Sequence, residues 1–317
     1  MPLSEFEIIN HYFNKDRSIN SSVITGIGDD AAIVKIPEGN QLAISTDTLV
    51  SGIHFPISTE PYDIGYKALA VNISDMAAMG AQPLYATMSI TLESSDPDWL
   101  HAFSQGFFNI ADKYSIDLIG GDVSRGPLSI SVQIMGVIPD GEASLRSGAR
   151  PGDMIYVSGE LGMGAFALFS LGQVHEGIDK ECLNKLNRPE PRLETGIALR
   201  NLSSACIDIS DGLNADLSHI LSASSVGAEV EIHKVPMFRK LNDLHPRLAI
   251  NLGLNTGDDY ELCFTIQEKY EEELNVISKK LPVKLTKIGK VTDSGYLNWL
   301  DENGKAIDMP VRGHRHF

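Results

Sequence analysis

Nine aspartates in this sequence follow short apolar runs, occupy glycine turns, or interrupt an apolar helix pattern. They are Asp29, Asp30, Asp47, Asp75, Asp122, Asp208, Asp211, Asp258 and Asp259. Carboxylates that converge repel one another unless a cation lies between them. Mg²⁺ takes oxygen ligands, typically one or two carboxylates together with substrate phosphates. Acids, glycines and hydroxyls with no paired base and nucleophile are typical of metal-dependent phosphoryl transfer, where positioning and charge neutralisation do most of the work.

Each acidic stretch also has a plainer interpretation. Gly28-Asp29-Asp30 is good turn chemistry, so this stretch alone leaves a metal site and a solvated turn equally open. Asp75 lies within the mostly apolar stripe of a helix, which favours a functional acid over a surface one. Asp211 could cap a helix, although Asp208 and Ser210 beside it favour a metal and phosphate site.

Composition narrows the class of protein further. The chain has 317 residues and 43% hydrophobic residues, which predicts a folded protein of about two domains. Its net charge of -16 argues against nucleic acid or an anionic membrane as a partner, so a phosphorylated substrate would need Mg²⁺ as a bridge. Three scattered cysteines favour a reducing cytoplasm. We find neither a signal-peptide pattern nor an apolar run long enough to cross a membrane.

The elements that must position the acids can be predicted in part. Up to residue 138 the order is β-β-α-β-α-β, which indicates an α+β half with a mixed or antiparallel sheet. It includes helices over 4–14, 61–80 and 97–114, and strands over 42–46, 85–92 and 128–137. Asp117 to Asp122 forms a short strand, two glycines and an acid, which would let the backbone approach a phosphate. The turn-rich stretch 147–153 is the predicted domain boundary.

The second half repeats the pattern of a strand that ends in acids. We predict a helix over 190–201, a strand over 205–209 that leads into Ser210-Asp211-Gly212, and a helix over 213–222. The stretch 252–264 is interpreted as an acidic approach to a strand. The glycines between 159 and 164 fit neither a dinucleotide fingerprint nor a P-loop, and they indicate helix packing or, less readily, an anion site.

Seven motifs, in this order, resemble the thiamine-monophosphate kinase family of the aminoimidazole-ribonucleotide synthetase superfamily. They are Gly26-Ile27-Gly28-Asp29-Asp30-Ala31, Ser45-Thr46-Asp47-Thr48-Leu49-Val50, Lys67-Ala68-Leu69-Ala70-Val71-Asn72-Ile73-Ser74-Asp75, Gly120-Gly121-Asp122, Arg146-Ser147-Gly148-Ala149, Ile207-Asp208-Ile209-Ser210-Asp211-Gly212-Leu213 and Asp259-Tyr260-Glu261-Leu262. The resemblance covers nearly the whole chain.

The resemblance implies a two-domain α+β and α/β fold of the aminoimidazole-ribonucleotide synthetase type. Residues 1–146 would form an N-terminal ATP- and Mg²⁺-binding domain with a mixed sheet, which dimerises into a barrel-like sheet. Residues 147–317 would form a C-terminal α/β domain that completes the nucleotide and substrate site. The implied reaction is direct in-line transfer from ATP to thiamine monophosphate, the last step of thiamine diphosphate biosynthesis, with several Mg²⁺ ions, in a cytoplasmic homodimer.

The same resemblance implies site residues, with no general base. The implied metal ligands are Asp30, Ser45, Thr46, Asp47, Asp75, Asp122, Asp208 and Asp211. The implied ATP contacts are Gly121, Asp122, Arg146 and Ser210, of which Arg146, with Asp211, would organise the transition state. The implied substrate contacts are His54, Asp258 and His314.

Two positions depart from the family pattern. Asp258 stands where the family usually has a glutamate, and His314 stands where it usually has a stacking aromatic residue. Both departures concern thiamine binding. The alternatives are another superfamily enzyme, such as a selenophosphate synthetase or a hydrogenase-maturation dehydratase, and a nucleotide-binding regulator without turnover. Those two enzyme families use a reactive cysteine near one terminus, whereas Cys182, Cys206 and Cys263 are internal.

Overall fold

The computed structural model of the chain describes residues 3–15, 19–171, 180–307 and 309. His314 lies outside the described residues. The chain divides into two compact units: unit 1 comprises residues 1–76 and 81–141, and unit 2 comprises residues 77–80 and 142–317. Within the described part of the chain, no helix combines the length and apolar character needed to cross a bilayer.

Unit 1 contains the following elements: α1 (Glu5–Ile8), which continues as a π-helical turn (Ile9–Phe13), β1 (Val23–Thr25), β2 (Ile33–Val34), β3 (Asn40–Val50), α2 (Pro61–Ala78), β4 (Gln82–Leu92), α3 (Pro97–Tyr114), β5 (Asp117–Arg125) and β6 (Ser129–Pro139). Helix α1 begins with a capping box, because the side chains of Ser4 and Glu7 each accept the other's backbone N–H. The predicted bounds of α3 are confirmed.

The main sheet of unit 1 has the order β3-β6-β4-β5, in which only β4 and β5 run parallel. The predicted mixed sheet is therefore confirmed. In β6, Ile130, Val132 and Ile134 are fully buried, whereas Gln133 between them is exposed. Because side chains alternate across a strand, the sheet has one core face and one open face. Helix α2 lies on the core face, where Met76 approaches Gly136 of β6.

Helices α2 and α3 pack with their backbones almost in contact. A Cβ atom at Gly65 of α2 would lie 2.1 Å from the carbonyl oxygen of Phe103, and one at Gly106 of α3 would lie 1.9 Å from that of Tyr62. Both separations are shorter than any van der Waals contact, so larger residues would separate the helices. This close packing fixes α2, which carries Asp75, against the sheet.

Unit 2 contains the following elements: β7 (Met154–Ser158), α4 (Met163–Leu171), α5 (Lys180–Asn187), α6 (Leu193–Ala198), β8 (Ser203–Asp208), α7 (Leu213–Ser224), β9 (Gly227–Glu231), α8 (Arg239–Leu244), α9 (Pro246–Asn255), β10 (Leu262–Ile266), α10 (Glu271–Ser278), β11 (Leu285–Thr292), β12 (Leu297–Leu300) and β13 (Ala306–Ile307). Its sheet has the order β13-β12-β9-β11-β7-β10-β8. Every residue of β7 and β10 is buried, which is expected of central strands covered on both faces.

Two predictions for unit 2 were wrong in detail. The stretch 252–255 was interpreted as an approach to a strand, but it forms the last turn of α9, and β10 begins only at Leu262. Short apolar runs do not distinguish a buried helix from a strand, which explains the error. The predicted helix over 190–201 is confined to α6, because Pro189 and Pro191 restrict the residues before them to extended backbone.

Candidate functional site

Two carboxylates of unit 1 meet between the sheet and α2. The hydroxyl of Ser45 on β3 donates a hydrogen bond of 2.5 Å to Oδ2 of Asp75 on α2. The side chain of Asp47, two residues along β3 on the same face, is hydrogen-bonded to that of Asp75. The structure therefore brings together three of the residues implied as metal ligands. Asp75 is the acid that interrupts the apolar stripe of α2, and its partners on β3 explain its position.

The Asp47–Asp75 pair is electrostatically unfavourable when both carboxyls are ionised. Burial, followed by the charge of Asp75 and their mutual hydrogen bond, raises the pKa of Asp47 from 3.8 to about 7. Two carboxyls can form such a hydrogen bond only if one of them holds a proton. A divalent cation can replace that proton and neutralise both groups. The donor set of two carboxylates and a hydroxyl is one that Mg²⁺ accepts, with its remaining positions left to phosphate oxygens and water.

Thr46 faces away from this pair. The strand register aligns Asp47 with Val132, Met88 and Gly121 on the core face, so Thr46 belongs to the open face. Its hydroxyl accepts a hydrogen bond of 3.3 Å from the side-chain amide of Gln133. The structure thus separates the adjacent residues of the Ser45-Thr46-Asp47 motif onto two faces of the sheet.

A second group of acids lines a cavity of about 720 Å³ in unit 1. Asp29 and Asp30 approach it from the loop before β2, while Gly120, Gly121 and Asp122 approach it from β5. Both Asp30 and Asp122 are exposed, and Oδ2 of Asp122 accepts a hydrogen bond of 2.8 Å from the Ser124 hydroxyl. Two sequence motifs that are about 90 residues apart therefore face one space, which is wide enough for phosphate groups and ions.

Gly121 has a packing role that the sequence did not reveal. Its φ is +150°, and a Cβ atom there would lie 1.9 Å from the carbonyl oxygen of Met88 on β4. Glycine is therefore required for β5 to pair with β4 at all. A Cβ atom at Gly120 would meet only the Thr87 methyl at 3.6 Å, which is ordinary contact.

His54 lies in the turn after β3. Its Nδ1 accepts a hydrogen bond of 3.0 Å from the backbone N–H of Val50, and its carbonyl oxygen accepts one of 3.4 Å from the buried Lys67 ammonium. The first contact places the proton of a neutral imidazole on Nε2. The turn therefore fixes the ring and makes Nε2 its donor nitrogen.

In unit 2, the turn between β8 and α7 carries Ser210 and Asp211. Three consecutive backbone N–H groups, those of Ser210, Asp211 and Gly212, donate to the single oxygen Oδ2 of Asp216 at 3.1, 3.0 and 3.1 Å. Asp216 is 2% exposed, and burial raises its pKa to about 7 although the three donors oppose that shift. Sequence reasoning missed Asp216, for which the available signal was an acid in the first turn of a helix.

The segment from Thr256 to Glu261 is hydrogen-bonded to this same turn. The N–H of Asp258 donates to the carbonyl of Ser210, and the N–H of Tyr260 donates to that of Ile209. A Cβ atom at Gly257 would lie 1.7 Å from the Ser210 carbonyl oxygen, so only glycine fits there. Asp258 has a φ of +68° and accepts a hydrogen bond of 3.0 Å from the Tyr260 hydroxyl. The Ser210-Asp211-Gly212 turn, which is implied to bind the nucleotide, and the loop over 256–261, which is implied to bind the substrate, are therefore held together rigidly.

A buried ion cluster anchors the end of that loop. Glu261, 1% exposed, accepts hydrogen bonds from the Lys185 ammonium at 2.8 Å, from the Arg192 guanidinium at 2.5 and 2.6 Å, and from the Ser158 hydroxyl at 2.7 Å. Burial alone would raise the pKa of Glu261, but the two cations hold it below its usual value. The sequence motifs assigned no role to Lys185 or Arg192, which lie 76 and 69 residues from Glu261 along the chain.

Asp259 is fully buried beside this cluster. Its Oδ1 accepts a hydrogen bond of 2.9 Å from the backbone N–H of Gly162, just before α4, and burial raises its pKa well above the usual range. Its other oxygen has no hydrogen-bond partner among the described residues. One N–H of the glycine-rich stretch before α4 is therefore bonded to a carboxyl group of the chain itself, which favours the packing interpretation of that stretch.

The other predicted site residues of unit 2, Asp208 and Arg146, lie in two different places. Asp208 is buried at the end of β8, adjacent to the Ser210 turn. Arg146 is exposed, and its carbonyl accepts a hydrogen bond from Ser224 at the C-terminal end of α7, whereas Asp211 precedes the N-terminal end of that helix. Among the residues that the structure describes, no three His, Cys, Asp or Glu side chains form a ready-made metal cluster. An ion held here would need phosphate oxygens, hydroxyls or water as further ligands.

Comparison with known sequences defines the class of protein. The sequence model described as "AIR synthase related protein, N-terminal domain" matches residues 28–138, and the one described as "AIR synthase related protein, C-terminal domain" matches residues 150–299. The first match contains the Asp47–Asp75 pair together with Asp30 and Asp122 of the acidic cavity, and the second contains the Ser210 turn and the Glu261 cluster.

Similar proteins define the family more narrowly. The thiamine-monophosphate kinase of Buchnera aphidicola subsp. Acyrthosiphon pisum is 46% identical, with full coverage of both chains. A crystal structure of thiamine-monophosphate kinase from Stenotrophomonas maltophilia K279a is 42% identical, has a TM-score of 0.84, and covers 90% of this chain and 93% of its own. A structure described as AaThiL complexed with AMPPCP and TMP is 30% identical, with a TM-score of 0.77 and 92% coverage of both chains. The chain belongs to the thiamine-monophosphate kinase family.

Proposed function

We propose that this chain phosphorylates thiamine monophosphate to thiamine diphosphate, with ATP as the phosphoryl donor. Membership of the family supports the reaction, since relatives that match the whole chain carry that name. The related structure with AMPPCP, an ATP analogue, and TMP supports the two substrates. The observation in the molecule that favours phosphoryl transfer most directly is the Asp47–Asp75 pair, which requires a proton or a cation between its carboxyls.

In unit 1 we assign two groups of side chains to divalent ions. Ser45, Asp47 and Asp75 form the first group, supported by their mutual contacts. Asp30 and Asp122 form the second, supported by the cavity that they share. Thr46 belongs to the proposed set by sequence motif alone, because its side chain faces the open side of the sheet. Bound Mg²⁺ would supply neutralisation of the charge on the transferring phosphoryl group.

In unit 2 we assign Ser210 and Arg146 to ATP, and Asp208 and Asp211 to metal. Ser210 and Asp211 are held by one rigid turn, which supports their assignment as a pair. In unit 1, Gly121 and Asp122 are the proposed ATP contacts. Asp258 is assigned to the substrate, together with His54, whose Nε2 is the donor nitrogen, and His314 by its place in the sequence motif.

The proposed transfer is direct, without a phosphoenzyme and without a general base. A phosphate oxygen of thiamine monophosphate is already ionised near neutral pH, so it needs no base to become a nucleophile. The protein therefore contributes alignment and charge. We assign the organisation of the transition state to Asp211 and, by sequence motif alone, to Arg146, whose backbone lies near the opposite end of α7. Buried thiols at Cys182, Cys206 and Cys263 are suited to the reducing cytoplasm in which we place this reaction.

We also place a second copy of the chain on the open face of the unit 1 sheet. Leu42 and Ile44 on that face are 40% and 56% exposed, and Ile24 and Ile33 of the β1–β2 hairpin are 67% and 53% exposed. An apolar sheet face of this kind is typical of a protein interface. Ile44→Asp should shift the protein from dimer to monomer in sedimentation velocity, and an unchanged dimer would contradict this assignment.

The function is tested by the release of ADP from ATP with purified protein and Mg²⁺. Thiamine monophosphate should support ADP release and the formation of an equal amount of thiamine diphosphate. Unphosphorylated thiamine should support neither, because the acceptor is a phosphate oxygen. Binding of ATP without ADP release in the presence of thiamine monophosphate would instead favour a nucleotide-binding regulator.

A further inference from the structure

Asp216 is placed unusually for an acid at the start of a helix. It is the fourth residue of α7, but the three N–H groups that it accepts belong to Ser210, Asp211 and Gly212, which precede the helix. An ordinary N-terminal cap would instead lie before the helix and accept an N–H from its first turn. The Asp216 carboxylate therefore points back from the helix to the preceding turn, and its hydrogen bonds hold that turn in place.

The geometry depends on the residues on either side. Gly212 has a φ of +109°, and a Cβ atom there would lie 3.0 Å from both the Leu254 carbonyl oxygen and the Thr256 N–H nitrogen. Glycine at 212 therefore allows the chain to turn so that three successive N–H groups point to one spot. Such a concave row of N–H groups normally binds an anion.

In this protein a side chain of the chain itself fills that row. Because Asp216 is 2% exposed and accepts all three donors, the turn cannot offer them to a phosphate. What the turn presents instead is the hydroxyl of Ser210 and the carboxylate of Asp211, both half-buried. The Asp211 carboxylate suits a cation, whereas the Ser210 hydroxyl can either bind a cation through its oxygen or donate a hydrogen bond to a phosphate oxygen.

We propose that Asp216 is a positioning residue, which acts through the backbone of the Ser210-Asp211-Gly212 turn to aim Ser210 and Asp211 at Mg²⁺ and ATP. The proposal rests on the proposed function of Ser210 and Asp211. Asp216 touches neither substrate nor metal. Its removal would leave the turn without its central acceptor, so that Ser210 and Asp211 would lose their fixed orientation.

Asp216→Asn is the first test, because the amide keeps the size of the side chain and one weaker acceptor. We expect turnover and the affinity for ATP with Mg²⁺ to fall by about 10–100-fold, the usual effect of losing a residue that orients a metal ligand. Asp216→Ala should lose more than Asp216→Asn. The KM for thiamine monophosphate should change by less than the affinity for ATP.

Asp153→Asn is the matched control. Asp153 is another buried acid of unit 2, 3% exposed, and its Oδ2 accepts the Arg150 N–H at 3.0 Å and the Ser204 hydroxyl at 2.6 Å. It orders a turn that carries none of the proposed site residues. Its substitution should lower the unfolding temperature while leaving turnover and ATP affinity near the wild-type values.

Equilibrium binding of AMPPCP in the presence of Mg²⁺ separates this proposal from the proposed function, because it needs no turnover. Weaker binding in Asp216→Asn than in Asp153→Asn, at similar unfolding temperatures, would support a positioning role. Equal binding and equal turnover in the two variants would overturn it and leave Asp216 a purely structural residue. Failure of the wild type to phosphorylate thiamine monophosphate would count against the function alone.

Discussion

Each unit holds an acidic group that is partly or fully withdrawn from water, half-buried in unit 1 and buried in unit 2, and the charges of the two groups are balanced in opposite ways. In unit 1 the neighbour of Asp47 is a second acid, Asp75, and the pKa of Asp47 is raised to about 7. In unit 2 the neighbours of Glu261 are Lys185 and Arg192, and the pKa of Glu261 is lowered although it is almost fully buried.

The difference separates a binding group from a structural one. Glu261 is neutralised by the chain itself, so its cluster is complete and stabilises the substrate loop. The Asp47–Asp75 pair is balanced only by a proton or by an added cation. An acid pair that depends on a proton or an added cation for its charge balance is expected at a site where a ligand brings positive charge.

The largest expected effect is on turnover in Asp47→Asn. The amide cannot supply the charge that holds a divalent ion, so turnover should fall by about a thousandfold or more, as expected when charge neutralisation in phosphoryl transfer is lost. The protein should remain folded, which circular dichroism would establish. Wild-type rates in this variant would refute the assignment of Asp47 as a metal ligand. The contrast between a binding group in unit 1 and a structural group in unit 2 would then no longer hold.

Glu261→Gln should have its main effect on stability. The change removes the buried carboxylate that pairs with Lys185 and Arg192, and breaking a buried ion pair in this way typically costs about 3–5 kcal/mol. Urea denaturation would measure the loss in free energy of unfolding. The control is Glu271→Gln, whose Glu271 pairs with Lys287 at a more exposed site and should lose about 1 kcal/mol or less. Equal losses in both variants would contradict a structural role for the buried cluster.

The pH dependence of stability should report the Asp47–Asp75 pair. The pKa of Asp47 is about 7 in the folded protein and 3.8 as its reference value, so the folded state keeps the proton to higher pH. The stabilisation from that proton is present below about pH 4 and is lost as the pH rises through 7. Without Mg²⁺, Asp47→Asn should therefore be more stable than wild type at pH 8, on the order of 1–2 kcal/mol, and the gap should close near pH 4. A gap that does not change with pH would show that the pair does not share a proton.

The smallest expected effect concerns substrate stacking. His314→Trp should lower the KM for thiamine monophosphate by about 2–5-fold, because a larger aromatic surface stacks more strongly on a flat heterocycle. The kcat should stay the same, since neither unit's acidic group is changed. Steady-state kinetics would measure both, and a higher or unchanged KM would argue against stacking at this position.

The sequence predicted the acids better than their partners. The position of Asp75 within an apolar helix stripe could be predicted from local periodicity. Asp47 was expected just after a strand over 42–46, but it lies within β3, which extends from Asn40 to Val50. The convergence of Lys185 and Arg192 on Glu261 could not be predicted, because it depends on how distant segments pack. The stretch 252–255 was interpreted wrongly for a related reason, since short apolar runs are compatible with both helix and strand. From the sequence, Asp216 could be recognised only as an acid near the start of a helix. Its contact with the preceding turn depends on the backbone conformation of Gly212, which the sequence pattern does not show.

The most direct test of the cation site is the rise in unfolding temperature that Mg²⁺ and AMPPCP together produce, measured in wild type and in Asp47→Asn. A ligand that binds only the folded state stabilises it in proportion to the logarithm of its concentration over its dissociation constant. We predict a clear rise for the wild type that is mostly lost in Asp47→Asn. An equal rise in both proteins would show that the Asp47–Asp75 pair does not hold the ion, and would contradict the assignment of that pair as a cation site.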